Sequence, residues 1–99
     1  MTTAEGFLDL KVAGSRGVPA NATAAVLNLT GTGVTTSTDV RAYPLGAASV
    51  PTVSNLNLTR GATRANLTIV KTGTDGRVRV RNGAGTVNLI GDLAGYMVG

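Results

Sequence analysis

Cysteine, histidine and tryptophan are all missing from this chain of 99 residues, and the remaining aromatics are one phenylalanine and two tyrosines. Without cysteine there is no disulfide to staple the fold and no thiolate nucleophile, and thiol usage says nothing of redox compartment. Without histidine the commonest general base and the commonest metal ligand are gone, so most hydrolase constellations are excluded. The scarcity of aromatics leaves little surface on which single-stranded nucleic acid would stack. No apolar run approaches the roughly 20 residues of a membrane-spanning helix, so no membrane insertion is expected. Met1 to Gly6 carries neither a basic leader nor an apolar signal core, so either export is handled by a segment outside this chain or the protein is not exported by itself.

Acidic residues are scarce too. Five acids stand against nine bases, a formal charge of +4. Such a surface attracts polyanions in general, including nucleic acid, teichoic-type polymers and acidic proteins, and the charge alone does not choose among them. The acids, Glu5, Asp9, Asp39, Asp75 and Asp92, are scattered without a shared motif. A pair of carboxylates placed for glycoside hydrolysis is not expected from them, and neither catalytic residues nor a cofactor are.

What is abundant is Thr, Val, Ala and Gly, a composition that favours strands joined by tight turns. The length suits a single domain, residues 1–99, that buries about 60 to 70% of its unfolded surface. Alternation marks the strands. Leu8, Leu10 and Val12 share one face with Asp9 and Lys11 on the other, and Gly14 to Thr23 reads as a loop around Pro19. Ala25 to Thr30 turns Leu27 and Leu29 inward, with Gly31 and Gly33 ending the strand. Asp39 to Tyr43 places Val40 and Ala42 on one face and is closed by Pro44. A longer connection, Leu45 to Thr52, leads to Ser54–Thr59 with Leu56 and Leu58 inward.

The second half repeats the pattern. Ala65 to Lys71 is expected to turn Leu67 and Ile69 inward, and Thr72-Gly-Thr-Asp-Gly76 to form a hairpin turn. Arg77 to Arg81 then returns with Val78 and Val80 inward, and after Asn82-Gly-Ala-Gly85 a last strand buries Val87 and Leu89, with Gly91 or Gly95 as a bend. About seven or eight short strands at spacings near 10 residues predict an all-β, antiparallel sandwich or small barrel. Asn28-Leu-Thr30, Asp39 to Tyr43 and Asn55-Leu56 are echoed by Asn66-Leu-Thr68, Arg77 to Arg81 and Asn88-Leu89, through duplication or through similar strand-turn rules.

Three features offer binding chemistry. Arg77, Arg79 and Arg81 project from one face of a strand, either as a docking strip for phosphate or carboxylate groups or as a solvated edge strand protected by like charges. Asn28, Thr30, Asn57, Thr59, Asn66, Thr68 and Asn88 form an outward polar set, either a ladder that bonds sugars or a partner protein or a set that serves turns and water. Tyr43 and Tyr96 are sugar-stacking platforms or core-edge packing. Thr74-Asp75-Gly76 is the one local hint of a calcium site, but Asp-Gly is what a tight turn demands. Asn21, Asn28, Asn57 and Asn66 open Asn-X-Thr sequons, three of them inside expected strands.

The string Gly17-Val-Pro-Ala-Asn-Ala-Thr-Ala-Ala-Val-Leu-Asn-Leu-Thr30 is followed in order by Tyr43-Pro44, Ser54-Asn-Leu-Asn57, Ala65-Asn66, Asp75-Gly76, Asn82-Gly-Ala-Gly85 and Leu89-Ile-Gly-Asp-Leu-Ala-Gly-Tyr96. Over roughly residues 7 to 98 this resembles a β-sandwich domain common in secreted and cell-wall-associated proteins of actinobacteria. The resemblance implies a sandwich, of jelly-roll or Ig-like type, and an extracellular or cell-surface place beside hydrolases or in tandem. It implies a surface-binding role and no defined ligand. The chain departs from that family in two respects. It lacks the additional first strand with a Leu-Asp-Thr-Arg-like motif, so that edge is truncated or completed by another chain, and Leu45 and Arg79 stand where many members carry a cysteine pair.

The expectation is a non-catalytic binding or display module that recognises envelope carbohydrate or a neighbouring protein, with Arg77, Arg79, Arg81, Asn57, Asn66 and Tyr43 as binding residues and no metal. Its rivals are a structural assembly module, such as a virion decoration or fibre element completed by a neighbouring subunit, and a basic nucleic-acid-binding domain.

Overall fold

A computed structural model describes residues 7–15, 17–48 and 55–99, and the described residues form seven strands and no α-helix. The strands are β1 (Phe7–Lys11), β2 (Ala22–Thr32), β3 (Thr38–Pro44), β4 (Leu56–Leu58), β5 (Arg64–Lys71), β6 (Arg77–Asn82) and β7 (Asn88–Val98). They build two antiparallel sheets, one of four strands in the order β1-β6-β3-β4 and one of three in the order β5-β2-β7. The expected strand from Ser54 begins partly outside the described residues, as does much of the connection from Leu45 to Thr52.

One apolar core joins the two sheets. Leu27 and Leu29 of β2, Val70 of β5 and Leu89 of β7 meet Val40 of β3, Leu56 and Leu58 of β4, and Val78 and Val80 of β6. Full burial of a Val or Leu side chain contributes about 1.5–3 kcal/mol, so these modest side chains supply stability by number rather than size. Gly31 lies inside β2 rather than ending it, paired to Arg64 and Leu89. A Cβ there would stand 2.5 Å from Leu58 Cδ1, so glycine lets the two sheets close up at this point.

Among the described residues the core also accommodates one fully buried polar residue, Asn82. Its Oδ1 accepts from Thr38 Oγ1 at 2.7 Å and its Nδ2 donates to the Gly85 carbonyl at 2.9 Å. Both ends of the amide are satisfied, which removes the penalty of burying it.

Three further sequence expectations fail, each for a reason of tertiary pairing. The segment Thr72–Gly76 is not a hairpin turn: β5 belongs to the three-stranded sheet and β6 to the four-stranded one. β6 already has β1 on one side and β3 on the other, so no ladder position is left for β5. The connection is instead a 3₁₀ turn, Thr74–Gly76, in which Asp75 (φ 57°) and Gly76 (φ 66°) both take left-handed backbone. It is anchored to the four-stranded sheet by Val12 N and Ala13 N, which donate to the Gly76 carbonyl at 3.0 and 3.1 Å. Asp-Gly thus supplies positive φ, as the sequence implied, but for a crossover between sheets.

The second failure is the facing of β5. Leu67 and Ile69 are exposed, while Val70 is buried and Thr68 is half-buried. Asn55 sets this facing. Its Oδ1 accepts from Ala42 N of β3 at 2.7 Å, its Nδ2 donates to Thr68 Oγ1 of β5 at 2.8 Å, and its carbonyl accepts from Asn66 Nδ2 at 2.7 Å. A side-chain clasp therefore ties the two sheets together where β4 and β5 lie at adjacent edges. Turning Asn66 and Thr68 toward that clasp forces Leu67 and Ile69 to the opposite face, since strand side chains alternate. The third failure concerns β6, which is an interior strand of its sheet and not a solvated edge.

The echo in the sequence has a structural counterpart in part. β2 pairs with β5 and β3 with β6, so the echoed strands are antiparallel neighbours, but β4 and β7 fall in different sheets. The last strand bends at a register shift beside Gly95: Val26 is opposite Gly95 and Leu27 is opposite Leu93, leaving Ala94 as the extra residue.

Candidate functional site

The alternation that buries Val78 and Val80 sends Arg77, Arg79 and Arg81 to the opposite face of the four-stranded sheet. Register places Phe7, Asp9 and Lys11 of β1 opposite Arg81, Arg79 and Arg77. On the other side, Arg41 of β3 is opposite Arg81 and Tyr43 is opposite Arg79. Five cations, Lys11, Arg41, Arg77, Arg79 and Arg81, therefore share one face with three acids, Asp9, Asp39 and Asp75.

The acids are distributed unequally among those cations. Arg79 forks onto Asp9, with Nε donating to Oδ1 at 2.8 Å and Nη2 to Oδ2 at 3.0 Å. Its guanidinium also lies 3.8 Å from the centre of the Phe7 ring, a cation–π contact that fixes the fork in place. The hydrogen bond from Arg79 holds the Asp9 carboxyl below the usual carboxylate range, and the same bond raises the pKa of Arg79. Asp75 receives Lys11 Nζ and Arg77 Nε, each at 3.2 Å, and those two bonds lower its pKa. Arg41 Nη2 donates to Asp39 Oδ2 at 2.8 Å. Arg81 has no ion-pair partner among the described residues.

The strip of three arginines is therefore not uniform. Arg77 and Arg79 are engaged by acids, but Lys11 and Arg77 share one carboxylate, so among the described residues the surplus of positive charge on this face divides between that pair and Arg81, which lies directly opposite Arg41 on β3. Like charges directly opposite each other on a sheet are destabilising. Asp39, Arg41, Arg81 and Gly83 line a hollow of about 200 Å³ at this point. A bound phosphate or carboxylate would relieve the repulsion and accept from the Arg81 guanidinium beside the Arg41–Asp39 pair.

The other predicted binding residues are placed differently. Tyr43 shares the cationic face but is only 7% exposed, so it does not serve as a stacking platform for sugar. Tyr96 is exposed, on the three-stranded sheet. Asn57 lies on β4 opposite Asp39, and Asn66 lies on β5 in the other sheet. These two asparagines come together, with Arg64, around an open hollow of about 500 Å³ where β4 and β5 adjoin. The expected polar ladder does not form as one unit. Asn28 and Thr30 face outward on β2, Asn57 is in the other sheet, and Asn66 and Thr68 are drawn to Asn55. The Thr74-Asp75-Gly76 hint of calcium gives way to ion pairs with Lys11 and Arg77.

Between β1 and β7 lies a further cleft of about 300 Å³, floored by Leu10, Val12, Leu27 and Leu93 and flanked by Lys11 and Arg77. The sequence reading missed Arg41, Asn55 and Asn82. Arg41 had a signal, an outward position between Val40 and Ala42, but its apposition to Arg81 depends on a pairing that spans half the chain. No family model matches this chain, and no curated protein matches it.

Proposed function

We propose that this chain is a non-catalytic binding and display module, a β-sandwich whose cationic outer face engages an anionic polymer of a cell envelope. The observation that carries the reading is the apposition of Arg81 to Arg41, whose guanidinium is bonded to Asp39. The neighbouring Arg79–Asp9 fork and its Phe7 contact support it, because they hold the rest of the strip rigid and spare it ordering entropy on binding. Recognition by phosphate or carboxylate geometry fits teichoic-type polymers, and an extracellular or surface location agrees with the resemblance to actinobacterial wall-associated domains.

A co-sedimentation assay on purified peptidoglycan and teichoic acid, with duplex DNA as a third arm, tests this. Binding to teichoic acid at low salt is expected, weakening as salt rises, and Arg81→Ala should reduce it by about fivefold, near 1 kcal/mol. Failure to retain the protein on either wall polymer at low salt overturns the reading. Retention on DNA alone, with a steep salt slope, replaces it by nucleic-acid binding.

A further inference from the structure

Three hollows on one side of the molecule share their walls. The hollow beside Arg81 and Arg41 is bounded by Asp39 and Gly83, and the same two residues bound a second, of about 410 Å³, that runs on to Ser37 and Asn57. Asn57 in turn lines the open hollow that ends at Arg64 and Asn66. One track therefore leads from the cationic face, across β3 and β4, and over the corner onto β5. Register gives its course: Arg81 is opposite Arg41, Asp39 is two residues along β3 from Arg41, and Asn57 is opposite Asp39. At ordinary strand spacing and rise, the leg from Arg81 to Asn57 spans about 12 Å between Cα positions. Gly83 stands where the first two hollows join, and a Cβ there would lie 2.5 Å from Asp39 Oδ1, so glycine keeps the junction open.

The ends of the track differ from its middle. Arg81 stands at one end and Arg64 at the other, and neither has an ion-pair partner among the described residues. Arg64 is exposed, and alternation along β5 puts it on the side of Asn66 and Thr68, the side drawn toward β4 by the Asn55 clasp. Between the two arginines the track presents the Asp39 carboxylate, already bonded to Arg41, together with Ser37 and Asn57. A carboxylate accepts hydrogen bonds and donates none, so the middle repels an anion and suits a hydroxyl donor. A ligand that matches the whole length carries anionic groups set apart by hydroxylated spacers. An unbroken row of anions would lay one of its charges against Asp39.

We infer, on the reading of the cationic face as the dock of an anionic polymer, that the polymer is a polyol phosphate or a chain of similar chemistry, and that it runs along this track with one anion on Arg81 and another on Arg64. The second anion is then delivered by the same chain as the first, at a high effective concentration. Affinity accordingly depends on ligand length: a single unit reaches one arginine, whereas an oligomer long enough to turn the β4–β5 corner reaches both.

Isothermal titration calorimetry at low salt, with oligo(glycerol phosphate) from one unit to about eight and with inorganic polyphosphate of matched charge as a probe without spacers, is the test. Affinity is expected to rise at least about tenfold from the single unit to the longest oligomer. Arg81→Ala and Arg64→Ala are each expected to weaken the longest oligomer about fivefold, the loss of one exposed charge contact. Lys71→Ala removes an exposed charge from the opposite end of β5 and is expected to change binding by less than about twofold. Weakening by Arg81→Ala, with Arg64→Ala no different from Lys71→Ala, overturns the track and leaves the cationic face as a dock for anions. Polyphosphate bound as tightly as the longest oligomer overturns the assignment of hydroxylated spacers. Binding of neither probe at low salt overturns the track and the proposed function together.

Discussion

β5 and β6 follow each other in the chain, carry the same alternation of aliphatic and polar residues, and meet opposite fates. In β6 the valines go inward and are buried while the arginines face solvent; in β5 Leu67 and Ile69 are left in solvent while Asn66 and Thr68 turn toward the neighbouring sheet. The difference shows that alternation defines two faces without saying which is the inner one. For β6 the choice is forced, because burying three guanidinium groups without partners would cost far more than exposing two valines. For β5 the two choices are closer in energy, since Asn and Thr are inexpensive to bury once bonded, and three hydrogen bonds centred on Asn55 decide it.

The largest test of that contrast is a matched pair of substitutions. Val78→Asp places an unpaired charge at a fully buried site and is expected to cost more than about 4 kcal/mol, leaving the chain unfolded in dilute buffer. Ile69→Asp is expected to change monomer stability by no more than about 0.5 kcal/mol. Urea unfolding at low protein concentration reads both, and equal damage from the two would mean that β5 faces the other way. Next in size, Asn55→Ala strands the Ala42 amide and the Thr68 hydroxyl and is expected to cost about 1–3 kcal/mol by the same measurement. A neutral result would assign the facing of β5 to something other than the clasp.

The smallest effect concerns the arginine side of the comparison. The hydrogen bond from Arg79 lowers the pKa of Asp9 in the folded state. Its stabilisation is therefore present above the unfolded carboxylate value, near 3.9, and is lost as pH falls through the lower folded value. Arg79→Met is expected to lower stability only slightly at neutral pH, as befits a solvent-screened ion pair. The gap between the two proteins should narrow on acidification, leaving at low pH only the remainder contributed by the Phe7 contact. A gap that widens toward acid would contradict the ion pair.

The positions of the strands were legible in the sequence because period-two alternation and Gly or Pro punctuation are local signals. Leu27 and Leu29, Val78 and Val80, and Val87 and Leu89 all face the core as their spacing predicts. What was not legible depends on partners far along the chain. Thr72–Gly76 has the composition of a hairpin turn, and only the prior occupation of both sides of β6 makes it a crossover. The arginine run reads as an edge strand until β1 and β3 are seen flanking it. Within the candidate site, Arg77, Arg79 and Arg81 were found from alternation alone, but Arg41 acquires its importance by pairing with a strand some 40 residues away. Tyr43 looked available because its rank by exposure cannot be read from type.

The pairing map also dictates the order in which this fold can assemble. Of the five strand pairs among the described residues, only β3 with β4 joins strands that are consecutive in the chain; β1 waits for β6, and β2 waits for β5 and β7. A chain emerging from the ribosome would hold its first half without partners until the second half appears, and closing such long loops precedes any reward from contact. Folding is accordingly a late, concerted event on the millisecond-to-second scale typical of non-local β topologies. During that interval β2, with its run of buried alanines and leucines, is the segment most in need of shelter.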